Sequence, residues 1–126
     1  MVVSALIASV GLFVHNIADL PGQTILSLES SIPILTTAVL VVAWFTRARR
    51  AVTWVLLGWG MLHLVGGGIL SVLPLPFLPF VPEQSVTHYL SHLLYVATQL
   101  PLVITTIYWL RAHRRQRAAA RTDARL

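Results

Sequence analysis

The chain of 126 residues has room for one domain, and 56% of it is hydrophobic, only 10% is charged, and its mean hydropathy is +0.78. Because soluble domains usually carry about 25% charged residues, this composition excludes an ordinary soluble protein and is too apolar for a disordered chain. All nine basic residues are arginines and there is no cysteine, which excludes disulfides, thiolate metal sites and lysine-linked cofactors.

Four apolar runs predict an all-α polytopic membrane protein, an up-down bundle of four transmembrane helices. The spans are expected at about 2–18, 32–46, 51–73 and 85–110. The first run is broken by Asp19-Leu20-Pro21-Gly22. Ser31 is a suitable N-cap for the second, and Pro33 is tolerated in a first helical turn because its missing N–H has no partner there.

The segment 74–84 separates the last two runs and contains four prolines, which cannot form a regular helix. It is strongly apolar, so we expect an extended outer loop lying against the membrane surface. The fourth run should kink at Pro101, and Gln99 is placed to satisfy the carbonyl that this proline frees. We therefore expect a transmembrane domain over 1–115 and a basic cytoplasmic tail over 116–126.

The arginines set the expected orientation, because positive charge flanking membrane helices stays in the cytoplasm. This predicts a multi-pass protein of the cell membrane with both termini inside. Juxtamembrane arginines also favour contact with anionic lipid head groups at the cytoplasmic face, whereas no folded surface presents a nucleic-acid groove. The arginines expected at the head groups are Arg47, Arg49, Arg50, Arg111, Arg114 and Arg115.

Histidines provide the main candidate for chemistry, since polar side chains inside a bilayer are costly and need a reason. At 1.5 Å per helical residue, His15, His63 and His92 fall at nearly the same depth, in the outer half of the predicted bundle. On the last span a polar stripe with helical spacing is expected to face the bundle interior or a helix interface. It consists of His88, His92, Tyr95, Gln99 and Thr106.

These positions predict a cofactor or metal site. His88 and His92 have the i, i+4 spacing that lets two imidazoles bind one ion, and Asp19 lies four residues after His15. The metal-ligand candidates are His15, Asp19, His63, His88 and His92, of which His15, His63 and His92 are also cofactor candidates. Imidazole and carboxylate ligands suit zinc, copper or non-haem iron, and two histidines from different helices could instead hold a b-type haem.

Other functions are consistent with the same residues. Histidine, glutamine and threonine often serve only as hydrogen-bonding groups between membrane helices, worth about 0.6 kcal/mol each. The chain could then be a small accessory or assembly subunit whose polar stripe binds a membrane-protein partner, or a homo-oligomer. A transporter of a small solute is a third alternative, which would require an oligomer because four short helices enclose little space. No motif specifies a reaction, so whether the chain is an enzyme stays open.

Overall fold

A computed structural model describes residues 1–123 and contains four helices there, with no strand. They are α1 (Val2–Asp19), α2 (Leu28–Trp44), α3 (Arg49–Met61) and α4 (Val86–Asp123), and a π-helical segment, Leu62–Leu70, continues α3 without a break. The all-helical prediction is confirmed. The last three positions of the predicted tail, which include Arg125, lie outside the described residues.

The helices pack as neighbours in chain order, and α4 closes the bundle by packing along α1. The end of α2 is joined to the start of α3 by a hydrogen bond from Trp44 Nε1 to Thr53 Oγ1, at 3.1 Å. Gly11 allows the close approach of α1 and α4, since a Cβ atom there would lie 2.4 Å from Thr98 Cβ. As a result, the last turns of α1 lie beside the first turns of α4.

Apolar side chains cover the outside of the bundle, while many of its buried positions are polar. Val3, Val42 and Leu93 are more than 60% exposed, whereas Thr53 and Thr106 are fully buried. Three helical stretches are long and apolar enough to cross a bilayer: Val2–Asp19, Arg49–Leu70 and Val86–Asp123. Helix α2, with 17 residues, is shorter. Such outward-facing apolar surface is typical of a helix that contacts lipid.

Helix α2 begins earlier than predicted, and Ser31 is not its cap. The helix starts at Leu28, so Pro33 lies inside it rather than in its first turn. Proline lacks the N–H that would bond the carbonyl four residues earlier, which here belongs to Glu29. Asn16 of α1 replaces that bond, because its Nδ2 donates to Glu29 O at 2.9 Å. The proline thus creates a polar link between α1 and α2.

The π-helical segment was not predicted. It contains Gly66-Gly67-Gly68, and the absence of side chains there lets the backbone lie against α4. A Cβ atom on Gly68 would lie 2.6 Å from Val96 Cγ2, and one on Gly67 would lie 3.0 Å from Tyr95 Cε1. Short π-helical turns occur often near functional sites, where they re-aim backbone groups.

Helix α4 is longer than the predicted span and continues to Asp123. Alanine, arginine and glutamine, which dominate its last turns, are strong helix formers. The expected role of Gln99 is wrong. Its Nε2 donates across the bundle to Ala8 O at 2.9 Å, not to the carbonyl freed by Pro101.

Candidate metal centre

Two pairs of residues spaced four apart meet at the end of the bundle where α1 ends and α4 begins. His15 and Asp19 occupy one face of α1, and His88 and His92 occupy the facing side of α4. Ser85 fixes the start of α4, since its Oγ accepts the backbone N–H of His88 at 3.2 Å. The structure therefore brings four of the five predicted ligands together.

Three imidazoles surround one oxygen of the Asp19 carboxylate. Oδ2 lies 3.0 Å from His15 Nδ1, 3.3 Å from His88 Nδ1 and 3.7 Å from His92 Nε2. His92 is buried, and the other three side chains are largely shielded, with exposed fractions between 10% and 14%. A carboxylate shielded from water is stable only when hydrogen bonds or positive charge compensate its own charge. The groups around Asp19 must therefore supply that compensation.

Hydrogen bonding alone does not account for the crowding at Oδ2. The Ser91 hydroxyl donates to this oxygen at 2.6 Å and shares its proton with the His88 carbonyl at 2.8 Å. A carboxylate oxygen has two lone pairs, so the hydroxyl leaves room for about one more donor, whereas three imidazole nitrogens approach. The His15 nitrogen, although 3.0 Å away, has no hydrogen-bond partner among the described residues. A cation between these atoms would satisfy several lone pairs together.

His92 shows most clearly which of its ring nitrogens is available to bind a metal ion. Its Nδ1 lies 3.1 Å from the carbonyl oxygen of Gly68, near the end of the π-helical segment. Because a carbonyl only accepts, Nδ1 carries a proton, and Nε2 of the neutral ring presents a lone pair toward Asp19. Metal-binding histidines are commonly oriented in this way by a backbone carbonyl on the second nitrogen.

The separations fit those between ligands of one metal ion. In a tetrahedral site with bonds of about 2.0–2.1 Å, two ligand atoms lie about 3.3 Å apart. The distances from Asp19 Oδ2 to the three imidazoles, 3.0–3.7 Å, bracket this value. The potential ligand atoms of His15, Asp19 and His92 all lie within 4.8 Å of one another. These three residues form a group that could bind a metal ion.

His88 lies beside this group. Its ring packs edge-on against that of His92, with centroids 4.5 Å apart, and its Nε2 is buried without a hydrogen-bond partner among residues 1–123. His88 is therefore placed as a fourth ligand or as a partner of the Asp19 carboxylate.

The structure does not bring His63 into the group. His63 Nδ1 is hydrogen-bonded to the Tyr95 hydroxyl at 2.6 Å. The Tyr95 ring lies between His63 and His15 and stacks on the His15 ring, with the two ring centroids 4.7 Å apart. On its other side the ring of His63 packs against Trp59, whose Nε1 donates to Thr37 Oγ1 at 3.0 Å. His63 thus borders the site through Tyr95.

The polar stripe on α4 is buried inside the chain. Tyr95 and Gln99 are each 2% exposed, and Thr106 is fully buried and donates to the carbonyl of Leu102 at 2.9 Å. The contribution of the Gly68 carbonyl, which contacts His92 Nδ1, was missed, and nothing in the sequence indicated it.

The haem alternative gains no support from this geometry. The rings of His15 and His92 pack edge to face with centroids 4.4 Å apart, which leaves no slot for a macrocycle between them. Axial histidines of a haem lie on opposite faces of the porphyrin.

No known protein family, curated protein or solved structure matches this chain.

Proposed function

We propose that this chain is a metal-binding integral membrane protein of the cell membrane, with four spans and both termini in the cytoplasm. Helix α2 would be the fourth span, since its 17 residues equal the lower end of the range of about 17–25 that crosses a bilayer. The transmembrane domain would comprise 1–115 and the tail 116–126. Fusing alkaline phosphatase or green fluorescent protein to the C-terminus tests this, because only the fluorescent fusion should be active.

The metal would be one divalent transition ion held by His15, Asp19 and His92, with His88 beside it. The observation that carries this proposal is that three imidazole nitrogens converge on one oxygen of the Asp19 carboxylate. This oxygen already accepts a hydrogen bond from Ser91. Two histidines and one carboxylate that leave other coordination positions of the metal open suit iron(II), and the same three ligands suit zinc. Both ions would find the nitrogen and oxygen ligands they prefer, in a site that contains no thiolate.

Elemental analysis of the protein purified in detergent tests the proposal. The wild-type chain should retain about one ion per chain after dialysis, and His15→Ala, Asp19→Asn and His92→Ala should each abolish retention. His113→Ala is the matched control, because it removes a half-buried histidine at the opposite end of the bundle, beside Trp54. Absence of bound metal from the wild type after loading with iron(II), zinc and copper would refute the proposal, as would equal loss in the control.

The arginines at the opposite end of the bundle support contact with anionic lipid head groups. Among residues 1–123 no arginine forms a salt bridge with a carboxylate. Arg50, Arg114 and Arg117 line one crevice beside Trp54, and the Arg114 guanidinium lies 5.6 Å from the centre of that indole. Arg49 has a different role, since its Nε donates to the Trp44 carbonyl at 3.0 Å.

A lipid comparison tests this contact. Phosphatidylglycerol should stabilise the protein against heat more than phosphatidylcholine does, and Arg50→Gln with Arg114→Gln should remove the difference. Arg49→Gln should keep the lipid preference while lowering stability in both lipids. Equal stability of the wild type in the two lipids would contradict the proposal.

The alternatives receive less support. The stripe expected to bind a partner helix is buried within the chain, so a partner subunit would have to use other surfaces. The interior of the bundle also leaves little space for a transport path. The cavity between Thr37, His63 and Gln99 has a volume of about 10 Å³, which holds about one water molecule. A partner protein or homo-oligomer would therefore assemble through the apolar outer faces.

A further inference from the structure

The candidate metal centre opens into a cavity that is much larger than an ion and its water. Its volume is about 290 Å³, while one water molecule occupies about 30 Å³. This is near the lower end of the range for small-molecule sites, about 300–1,000 Å³. His15, Asp19, His88 and His92 form one wall. A ligand of about one ring in size would reach the metal from this space.

The opposite wall belongs to the proline-rich segment and is held in place at both ends. Gln84 Nε2 donates to the carbonyl of Val72 at 3.3 Å and to that of Pro82 at 3.1 Å. The hydroxyl of Tyr89 donates to Gln84 Oε1, which ties the segment to α4. Prolines fix backbone angles, so this wall loses little entropy when a ligand binds.

The chemistry of that wall indicates the kind of ligand. Phe80, Val81 and Pro82 line the cavity and offer apolar surface, and Glu83 lines it as a second carboxylate besides Asp19. A divalent ion together with these two carboxylates is electrically neutral. This neutral site offers no net attraction to an anion, whose charge would also lie near the Glu83 carboxylate, whereas a neutral hydroxyl could place its oxygen on the metal and direct its O–H at Glu83.

We propose that the cavity binds a neutral, apolar molecule of about one ring that carries a hydroxyl group, such as a phenol or hydroquinone. The oxygen would bind the metal held by His15, Asp19 and His92, the O–H would be directed at Glu83, and the ring would lie against Phe80 and Val81. This assignment rests on the proposed metal-binding function. It adds Glu83 and the proline-rich segment as determinants of ligand selectivity.

The cobalt(II)-loaded protein provides the test, because the visible spectrum of cobalt reports changes among its ligands. The probes are 4-ethylphenol and 4-ethylbenzoate, which have similar apolar bodies but differ in charge near neutral pH. The phenol should shift the spectrum and bind about tenfold more tightly than the benzoate. Glu83→Gln should reduce that preference to less than about threefold, while Glu29→Gln, which removes an acid outside the cavity, should leave it unchanged.

The apolar contact is tested separately. Phe80→Ala combined with Val81→Ala should weaken 4-ethylphenol about tenfold and leave cobalt content unchanged. A cobalt spectrum that neither probe alters, a preference for the benzoate, or a Glu83→Gln variant that behaves like the wild type would each overturn the assignment while leaving metal binding intact. Failure to retain cobalt at all would instead overturn the metal site, and the ligand assignment with it.

Discussion

Replacing Gly11 with alanine should damage the candidate metal centre without changing any of the proposed ligands. The new Cβ would lie 1.7 Å from Thr98 Oγ1 and 2.4 Å from Thr98 Cβ. Carbon atoms pack at about 3.5–4.0 Å, so α1 and α4 must separate by about 1 Å or more. Thr98 has little freedom to relieve the clash, because its Oγ1 donates to the Tyr95 carbonyl at 2.8 Å.

The separation reaches the site because His15 lies one helical turn after Gly11. Metal sites tolerate changes of only about 0.2 Å in ligand distance, so a shift of about 1 Å should weaken binding about 10–100-fold. Overpacking should also lower the free energy of unfolding by about 1–3 kcal/mol. Competition with a chromophoric chelator measures the dissociation constant, and size-exclusion chromatography shows whether the variant stays folded.

Gly58→Ala is the matched control, since a Cβ atom there meets nothing within 4 Å. It should bind metal like the wild type. Adding Thr98→Gly to the Gly11→Ala variant removes the clashing atoms and should restore most of the affinity. Wild-type affinity in Gly11→Ala alone would show that close packing of α1 on α4 does not set the geometry of the site.

Three further substitutions test the surroundings of the site. Thr37→Val removes the acceptor of the Trp59 indole, so thermal denaturation should show a loss of about 1–3 kcal/mol with metal affinity unchanged. Gly67→Ala places a Cβ 3.0 Å from the Tyr95 ring, and chelator competition should show a several-fold weaker metal site, because that ring stacks on a ligand. Gln99→Leu removes the hydrogen bond to α1, and the same melting assay should show a loss of about 1 kcal/mol.

The helices were predictable because their causes are local. Runs of apolar residues, the breaker at Pro21-Gly22 and the prolines after residue 73 mark most of their limits to within a few positions, the exception being the end of α4, predicted at 110 and found at Asp123. Among the helix starts the largest error was at α2, where Pro33 suggested a start at Ile32. The helix begins four residues earlier, at Leu28, and Asn16, distant in sequence, supplies the hydrogen bond that the proline lacks.

The site was predictable in part. The common depth of the histidines and the spacing of His15 with Asp19 anticipated that α1 and α4 would meet there. The exclusion of His63 was not predictable, because it depends on Tyr95 occupying the space between the two histidines. Depth along a helix can be read from residue number, whereas the direction in which a side chain points across a bundle depends on packing.

X-ray absorption spectroscopy on the metal-loaded protein tests the central claim most directly. A site formed by His15, Asp19 and His92 predicts a first shell of nitrogen and oxygen atoms at about 2.0–2.1 Å, with the outer-shell scattering of about two imidazole rings. A first shell of oxygen alone, or a spectrum unchanged in the His15→Ala and His92→Ala double variant, would show that the ion binds elsewhere and would contradict the account.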